Sequence, residues 1–401
     1  MNILFIHRSF PAQFKFMAAA LAQNPNNLVL FITASEANHI QGVNKLLYKP
    51  QRQIPPDCHP YLREYEEALI HGQAAADLAI AMRNKGIIPD IIYAHSWGSA
   101  LFMKDIFPDV PLLCYFEWFG NSENSVFDFG DNILDFNKKA AIRSNNCRNL
   151  IDLYSCDGGI SPTQWQKDQF PKEFHDKIEV IHDGIETEFF KPDKNAKFII
   201  PDKNLELSTK DEVITYATRG MEPLRGFPQF METVAKLQTK RPNAHFVIAG
   251  SNAVYYGPGS DQGTFKEIML NKLNLDLNRV HFVDILPYPE YLKLLQISSA
   301  HVYLTYPYVL SWSILEAMSC ECCVIASDTQ PVLEVIKDNE NGLLVDFFDV
   351  DGLVKKIEYA LNNKSEIERI KKSARQTILD KYALKDLLPK HLEYMSKYIK
   401  K

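Results

Sequence analysis

Two doubly wound parallel α/β domains in tandem are the architecture this sequence predicts, on three observations. Short aliphatic or β-branched runs alternate with helix-length amphipathic segments through nearly the whole chain, as strands and crossover helices do in a parallel sheet. Most of these runs are apolar throughout rather than alternating, as strands are when helices cover both sheet faces. The chain has 401 residues, about twice or more the length of a typical domain, and so can bury two cores.

In the first half, strands are expected at 3–7, 28–33, 91–95, 112–117, 159–160 and 179–181, where runs such as ILFIH, LVLFIT and IIYAH carry aliphatic and β-branched side chains. Between them, apolar residues at helical spacing mark helices at 12–23, 62–85, 99–107, 133–154 and 164–170. At 186–211 the pattern breaks: EFFKPDKNAKFIIPDKNLELSTKD is polar, holds two prolines and has no clean period, which marks a hinge and linker. A second series follows, with strands at 213–218, 245–250, 280–283, 301–305, 323–327 and 342–345. Its helices fall at 228–239, 263–273, 288–299, 313–320 and 350–362. The segment from 367 to 401 is helical and rich in lysine. The domains are therefore drawn as 1–190 and 191–375, both Rossmann-like. Residues 376–401 form a helical segment that packs back on the first domain. A cleft between two sets of strand C-termini is where such folds take ligands.

Composition narrows the function. Net charge of −6 and a pI near 6.0 argue against nucleic acid held by a general basic field. The seven cysteines lack paired zinc-like spacing, and Cys320-Glu321-Cys322-Cys323 sits where a helix gives way to a strand, so small buried thiols are expected rather than a metal site. The apolar start is too short for a signal peptide and no run reaches the length of a membrane span. Reduced thiols in the cytoplasm follow. Lys138, Lys139, Arg143 and Arg148 on one expected helix, with the lysine-rich C-terminus, suit either solvated faces or peripheral contact with the inner face of the cell membrane.

Three stretches carry chemistry. In TRGMEPLRG, Arg219 ends a strand, Arg225 precedes a helix, and Gly220 and Gly226 allow sharp turns. Two guanidiniums beside a helix N-terminus suit a pyrophosphate; a solvated pair, with Arg225 bound to Glu222, is the alternative. In SWSILEAM, Ser313-Ile-Leu-Glu316 reads as a capping box. The same helix start offers amides at Ser311, Trp312 and Ser313 to phosphate, and Glu316 to a ribose diol. In the first half, His95 and His7 end strands, where either imidazole could donate to a sugar hydroxyl or a reacting carbonyl; a structural role is the alternative and the more common one for a lone strand-end His. Tyr115 reads as core, and Trp118 as either core or sugar platform.

Taken together, TRGMEPLRGFPQF, SWSILEAMSCECCVIASDTQPVLEVI, NGLLVDFFD, ISPTQWQKDQFPKEF and VIHDGIETEFFKPD resemble the family 4 (group 1) retaining glycosyltransferases of GT-B fold, in a bacterial subgroup. The resemblance spans essentially the whole chain. It implies that Arg219 and Arg225 grip a donor diphosphate and that Glu316 holds the ribose. It also implies that Leu310, Ser311 and Trp312 offer backbone amides to phosphate and sugar, and that the base lies against Asp284 and Ile285. His95 then stands near the donor sugar and is catalytic with the two arginines; Ser313, Gly250 and Tyr308 complete the expected donor site. There are departures. Tyr308 stands where the family usually has a sugar-contacting Glu, Glu321 where Gly is common, and Pro11-Ala12-Gln13-Phe14 where a glycine pair is usual.

The activity expected is transfer of a hexose, UDP-linked, to a glycan or lipid-linked acceptor in polysaccharide biosynthesis, with retention. No DxD-like pair occupies a suitable loop and no carboxylate stands out as a covalent nucleophile. A metal-independent, cofactor-free front-face reaction is the result, with the nucleotide-sugar as co-substrate. Competing expectations are a nucleotide-sugar-binding protein without turnover and a sugar-nucleotide epimerase. An NAD-dependent oxidoreductase is disfavoured, because the first βα turn has no glycine where a dinucleotide needs G-x-G-x-x-G.

Overall fold

The computed structural model describes residues 1–130, 133–200 and 203–399. It divides into two units, one of residues 1–184 with the segment from Lys385 onward, the other of residues 185–384.

The first unit is built on seven parallel strands: β1 (Asn2–Ile6), β2 (Leu28–Thr33), β3 (Val43–Leu47), β4 (Ile91–His95), β5 (Leu112–Tyr115), β6 (Gly158–Ser161) and β7 (Ile178–Val180). Their order is β3-β2-β1-β4-β5-β6-β7. Along β1, Leu4 and Ile6 enter one core with Ala74, Ala75, Ala79 and Met82 of the helix Arg63–Asn84. Ile3 and Phe5 enter another with Phe14, Met17 and the C-terminal helix residues Leu387, Tyr394 and Met395. The two-residue period of a strand thus feeds two helix layers, which is why its run is apolar throughout.

The second unit holds an antiparallel pair, β8 (Lys197–Ile200) and β9 (Leu205–Ser208), and six parallel strands. The latter are β10 (Val213–Gly220), β11 (His245–Ser251), β12 (Val280–Phe282), β13 (Ala300–Tyr303), β14 (Val324–Ser327) and β15 (Leu343–Val345), in the order β12-β11-β10-β13-β14-β15. Both large sheets reverse direction of growth beside their central first strand, the doubly wound arrangement.

Several sequence expectations change. The edge strand β3 was not expected: only Val43 of its five residues is buried, so it lacks the apolar signal of its neighbours. The stretch expected as a polar linker contains β8 and β9, which bury Phe198, Ile200 and Leu207 with Val213 and Val247; residues 201 and 202 lie outside the described ones. The helix expected over 133–154 is two, Phe136–Asn145 and Cys147–Ser155. The break is at Asn146, whose side chain accepts from the Gly120 N–H at 2.9 Å and donates to its carbonyl at 2.7 Å. The helix expected from 367 is likewise two, Lys364–Lys381 and Leu384–Ser396, and its last two residues, 400 and 401, lie outside the described ones.

The second of those breaks explains the unit boundaries. Ile185 donates to the Tyr382 carbonyl at 2.7 Å and accepts from Leu384 at 2.9 Å, so the two chain crossings are stitched side by side. The junctions therefore fall at 184/185 and 384/385, rather than at 190/191 and 375/376. Beyond Lys385, Tyr394 donates to the Gly159 carbonyl at 2.9 Å and the His391 ring meets the His182 carbonyl at 3.0 Å. All seven cysteines are free thiols, with Cys320, Cys322 and Cys323 buried. Among the described residues, no helix is long and apolar enough to cross a membrane.

Candidate functional site

The second unit's site is assembled at the C-terminal end of β10. After Ala217 the strand leaves its register with β11 and rejoins it at Gly220, which puts Arg219 at the sheet edge. A single 3₁₀ turn, Pro223–Arg225, follows, and Gly226 adopts a left-handed φ of 70° before the helix Phe227–Lys240. A Cβ on Gly226 would sit 2.4 Å from Leu304 Cβ, so only glycine lets the turn lie this close to β13.

The turn is fixed at both ends of Arg225. Its carbonyl accepts from the Tyr216 hydroxyl at 2.7 Å. Its guanidinium donates to Thr305 Oγ1 at 2.8 Å and to the Val309 carbonyl at 3.4 Å. The Tyr303 hydroxyl lies 3.5 Å from the same guanidinium nitrogen and accepts from the Ser311 N–H at 3.0 Å. Arg219, Arg225, Tyr256, Tyr303, Ser311 and Ser313 all line one cavity of about 120 Å³. The expected pair of arginines and the two serines therefore share one concave space.

The helix Trp312–Ser319 corrects the capping expectation. Its N-cap is Ser311, whose hydroxyl accepts from the Ser313 N–H at 3.3 Å; Glu316 lies deeper in the helix, outside any capping box. Leu310 and Leu315, at the positions of a hydrophobic staple, belong to one buried cluster, which fixes the helix start two residues earlier than S-x-x-E suggests. The amides expected to be free at Ser311 and Ser313 are thus engaged, by Tyr303 and by the cap. Leu310 is core, and Trp312 packs on the same cluster.

Glu316 is only 6% exposed. It accepts a hydrogen bond from Tyr288, whose hydroxyl is pushed upward in pKa by burial and then by that carboxylate. A buried carboxylate held by a phenol is not required by helix capping.

At the neighbouring strand ends, Gly250 N–H donates to the Asp284 carbonyl at 2.8 Å. Asp284 has a φ of 49°, and Ile285 is 64% exposed, an apolar side chain open to a flat ligand. Tyr308 is half-buried, its ring centroid 5.2 Å from that of Tyr256.

Sequence reasoning missed the segment that covers the arginines. Tyr255 lies under the Arg219 guanidinium at 4.0 Å and Tyr256 under that of Arg225 at 5.5 Å. The signal was the pair of aromatics in YYGPG just past a strand end. Glu222, offered above as Arg225's partner, instead accepts from the Tyr255 and Tyr256 N–H groups at 2.7 and 3.0 Å.

In the first unit, His95 ends β4 and is 1% exposed. Among the described residues neither ring nitrogen has a hydrogen-bond partner. His7 packs edge-on at 4.6 Å, Trp97 at 4.7 Å and Tyr115 face-on at 5.5 Å between centroids. Glu117 Oε2 lies 3.7 Å from Nε2, beyond hydrogen-bond range. Burial, with positive potential from His7, Arg148 and Arg8, holds the imidazole well below its usual pKa; the ring is neutral. His7, its Nδ1 accepting from Ser9 N–H at 2.8 Å, is lowered to about 4 by burial. Tyr115 is core, and Trp118 is buried.

A pH dependence follows. In the unfolded chain His95 takes a proton near pH 6.5; in the folded chain it does not until far lower, so the unfolded state binds the extra proton. Stability should fall on acidification below about pH 6.5, by roughly 1.4 kcal/mol per pH unit for this one group. Denaturant unfolding at pH 7.0, 6.0 and 5.0 checks it: His95→Gln should flatten the slope by about that amount, and an unchanged slope would mean a protonated native ring.

Residues 25–190 match the glycosyl transferase family 4 group and residues 199–377 the glycosyl transferases group 1, leaving only the termini and a short junction unmatched. Curated proteins gave no sequence match. Among solved structures, HepE from Anabaena, crystallised with UDP-glucose, aligns with a TM-score of 0.72 at 16% identity, covering 99% of this chain and 100% of that one. Sucrose-phosphate synthase from Thermosynechococcus elongatus aligns at 0.73 and 15%, covering 99% and 98%. A glycosyltransferase from Rickettsia africae aligns at 0.66 and 16%, covering 100% and 98%. At such identities these structures speak for the fold, which is GT-B. With both halves matched in order, the chain belongs to the family 4, group 1 glycosyl transferases.

Proposed function

We propose that the second unit binds a UDP-linked hexose and that the enzyme transfers the hexose to a glycan or lipid-linked hydroxyl with retention of anomeric configuration. One observation carries this: Arg219 and Arg225 converge with Ser311 and Ser313 on one cavity at the strand C-termini. Two guanidiniums and two hydroxyls match the charge and oxygens of a diphosphate. The UDP-glucose in HepE supports uridine and a hexose.

In the reaction, the bond from the anomeric carbon to the diphosphate breaks as the acceptor oxygen bonds that carbon from the same face. The acceptor's proton passes to the departing phosphate oxygen. Negative charge grows on the diphosphate, where Arg219 and Arg225 stabilise it; this is the role a divalent cation would otherwise have. Glu316 accepts the ribose hydroxyls with the lone pairs Tyr288 leaves it. Ile285 flanks the base. His95 ends β4 of the first unit, which takes the acceptor.

Calorimetric titration with UDP tests the assignment. Wild type should bind, with or without excess chelator. Glu316→Ala should weaken binding about 10- to 100-fold, the worth of a hydrogen bond to a charged group, and Arg219→Ala should do at least as much. Unchanged affinity in both variants would place the nucleotide elsewhere. Because Ser311 caps the helix, loss of Glu316 should leave its N-terminus intact.

A further inference from the structure

Glu222 is wholly buried, on the turn that carries Arg225. A buried carboxylate next to two arginines would ordinarily pair with one of them, yet Oε2 accepts two successive backbone amides, those of Tyr255 and Tyr256. Burial raises its pKa, against the opposing pull of those amides and of Arg225 and Arg219.

The segment it holds is an exposed one after β11, with glycines at 257, 259 and 263. It makes close contact with β10 at the turn: a Cβ on Gly220 would meet the Ala253 carbonyl at 2.4 Å and the Tyr255 ring at 2.8 Å. Ser251 Oγ donates to the Arg219 carbonyl at 3.0 Å and accepts from the Ala253 N–H at 3.2 Å. The consequence is an aromatic lining under both guanidiniums, with the Tyr256 ring also against Tyr308.

From this we infer that Glu222 is a positioning residue for the diphosphate site. It does not contact the ligand; by fixing the Tyr255–Tyr256 backbone it sets the two rings that aim Arg219 and Arg225. A ring face attracts and orients a guanidinium without neutralising it, so the cations keep their charge for a dianionic ligand. A carboxylate paired directly with them would cancel part of it. The inference rests on the reading of this cavity as the diphosphate site.

Its test turns on sign. If Glu222 acted only as a counter-charge, removing it would tighten the binding of UDP. If it positions the rings, Glu222→Ala leaves two amides unpaired and frees the segment, and binding loosens. An amide oxygen can still accept both N–H groups, so Glu222→Gln should rescue. We expect Kd for UDP to rise about 10-fold or more in Glu222→Ala, since ångström-scale misplacement of binding groups costs up to about 10²-fold. In Glu222→Gln it should be equal to or below the wild-type value. Tyr255→Ala/Tyr256→Ala, which removes two side chains that are not fully buried, should reproduce the loosening without a fall in melting temperature. Titrations are run well below the melting temperature of each variant. Equal or tighter UDP binding by Glu222→Ala overturns the inference alone. Failure of the wild type to bind UDP overturns it together with the donor-site assignment.

Discussion

Arg225→Ala is expected to lower kcat/KM for the nucleotide-sugar about 10²- to 10³-fold, the range seen when a preorganised donor to developing charge is removed. The side chain is already held where it must act, by Thr305 at 2.8 Å and the Val309 carbonyl at 3.4 Å, so little reorganisation is left for the reaction itself. Removing it also leaves the Thr305 hydroxyl and the Tyr303 hydroxyl short of one neighbour, at a stability cost of about 1 kcal/mol, small against the kinetic loss. Arg225→Lys separates charge from geometry. An ammonium restores one positive point but not the planar fork that reaches Thr305, Val309 and a phosphate together. It should recover only part of the loss, in kcat more than in KM. Steady-state kinetics at saturating acceptor decide this; a fully active lysine variant would show that charge alone suffices.

How far the sequence discloses this arrangement depends on whether a feature is local. The strands feeding both cores, such as Ile3–Ile6, were legible because every side chain is apolar when both faces are covered. Arg219 and Arg225 were legible as groups at a strand end because the strand, the glycines and the helix start are all adjacent in the chain. Much of what was not legible came from contacts distant in sequence. The break at Asn146 depends on Gly120, and the junction at Leu384 depends on Ile185. Ser311 outcompetes Ser313 as the cap because Leu310 is buried with Leu315, which no S-x-x-E pattern records. Glu222 looked like a partner for Arg225 three residues away; its hydrogen bonds run to a loop more than thirty positions on.

Gly250→Ala should be the most damaging small substitution at the site, although it adds a single methyl group. Gly250 has a φ of 145°, and a Cβ there would lie 2.3 Å from the Thr218 carbonyl oxygen. The obstacle is backbone, so no rotamer change can relieve it: either β10 or β11 must move at its C-terminal end. The left-handed conformation is itself strained for alanine, by about 1–3 kcal/mol, and overpacking adds about 1–3 kcal/mol. A total of about 2–6 kcal/mol is expected, with the lower end reached only if the chain shifts. That shift would come next to Arg219, the residue after Thr218, and at Asp284, whose carbonyl accepts the Gly250 N–H. Denaturant unfolding should therefore show the stability loss. UDP titration of the fraction that remains folded should show weakened binding as well, whereas a core glycine remote from the site, such as Gly159, would affect stability alone. If Gly250→Ala unfolds at a lower denaturant concentration yet binds UDP with wild-type affinity, the end of β10 tolerates displacement, and Arg219 is not held to its position by the close approach of these two strands.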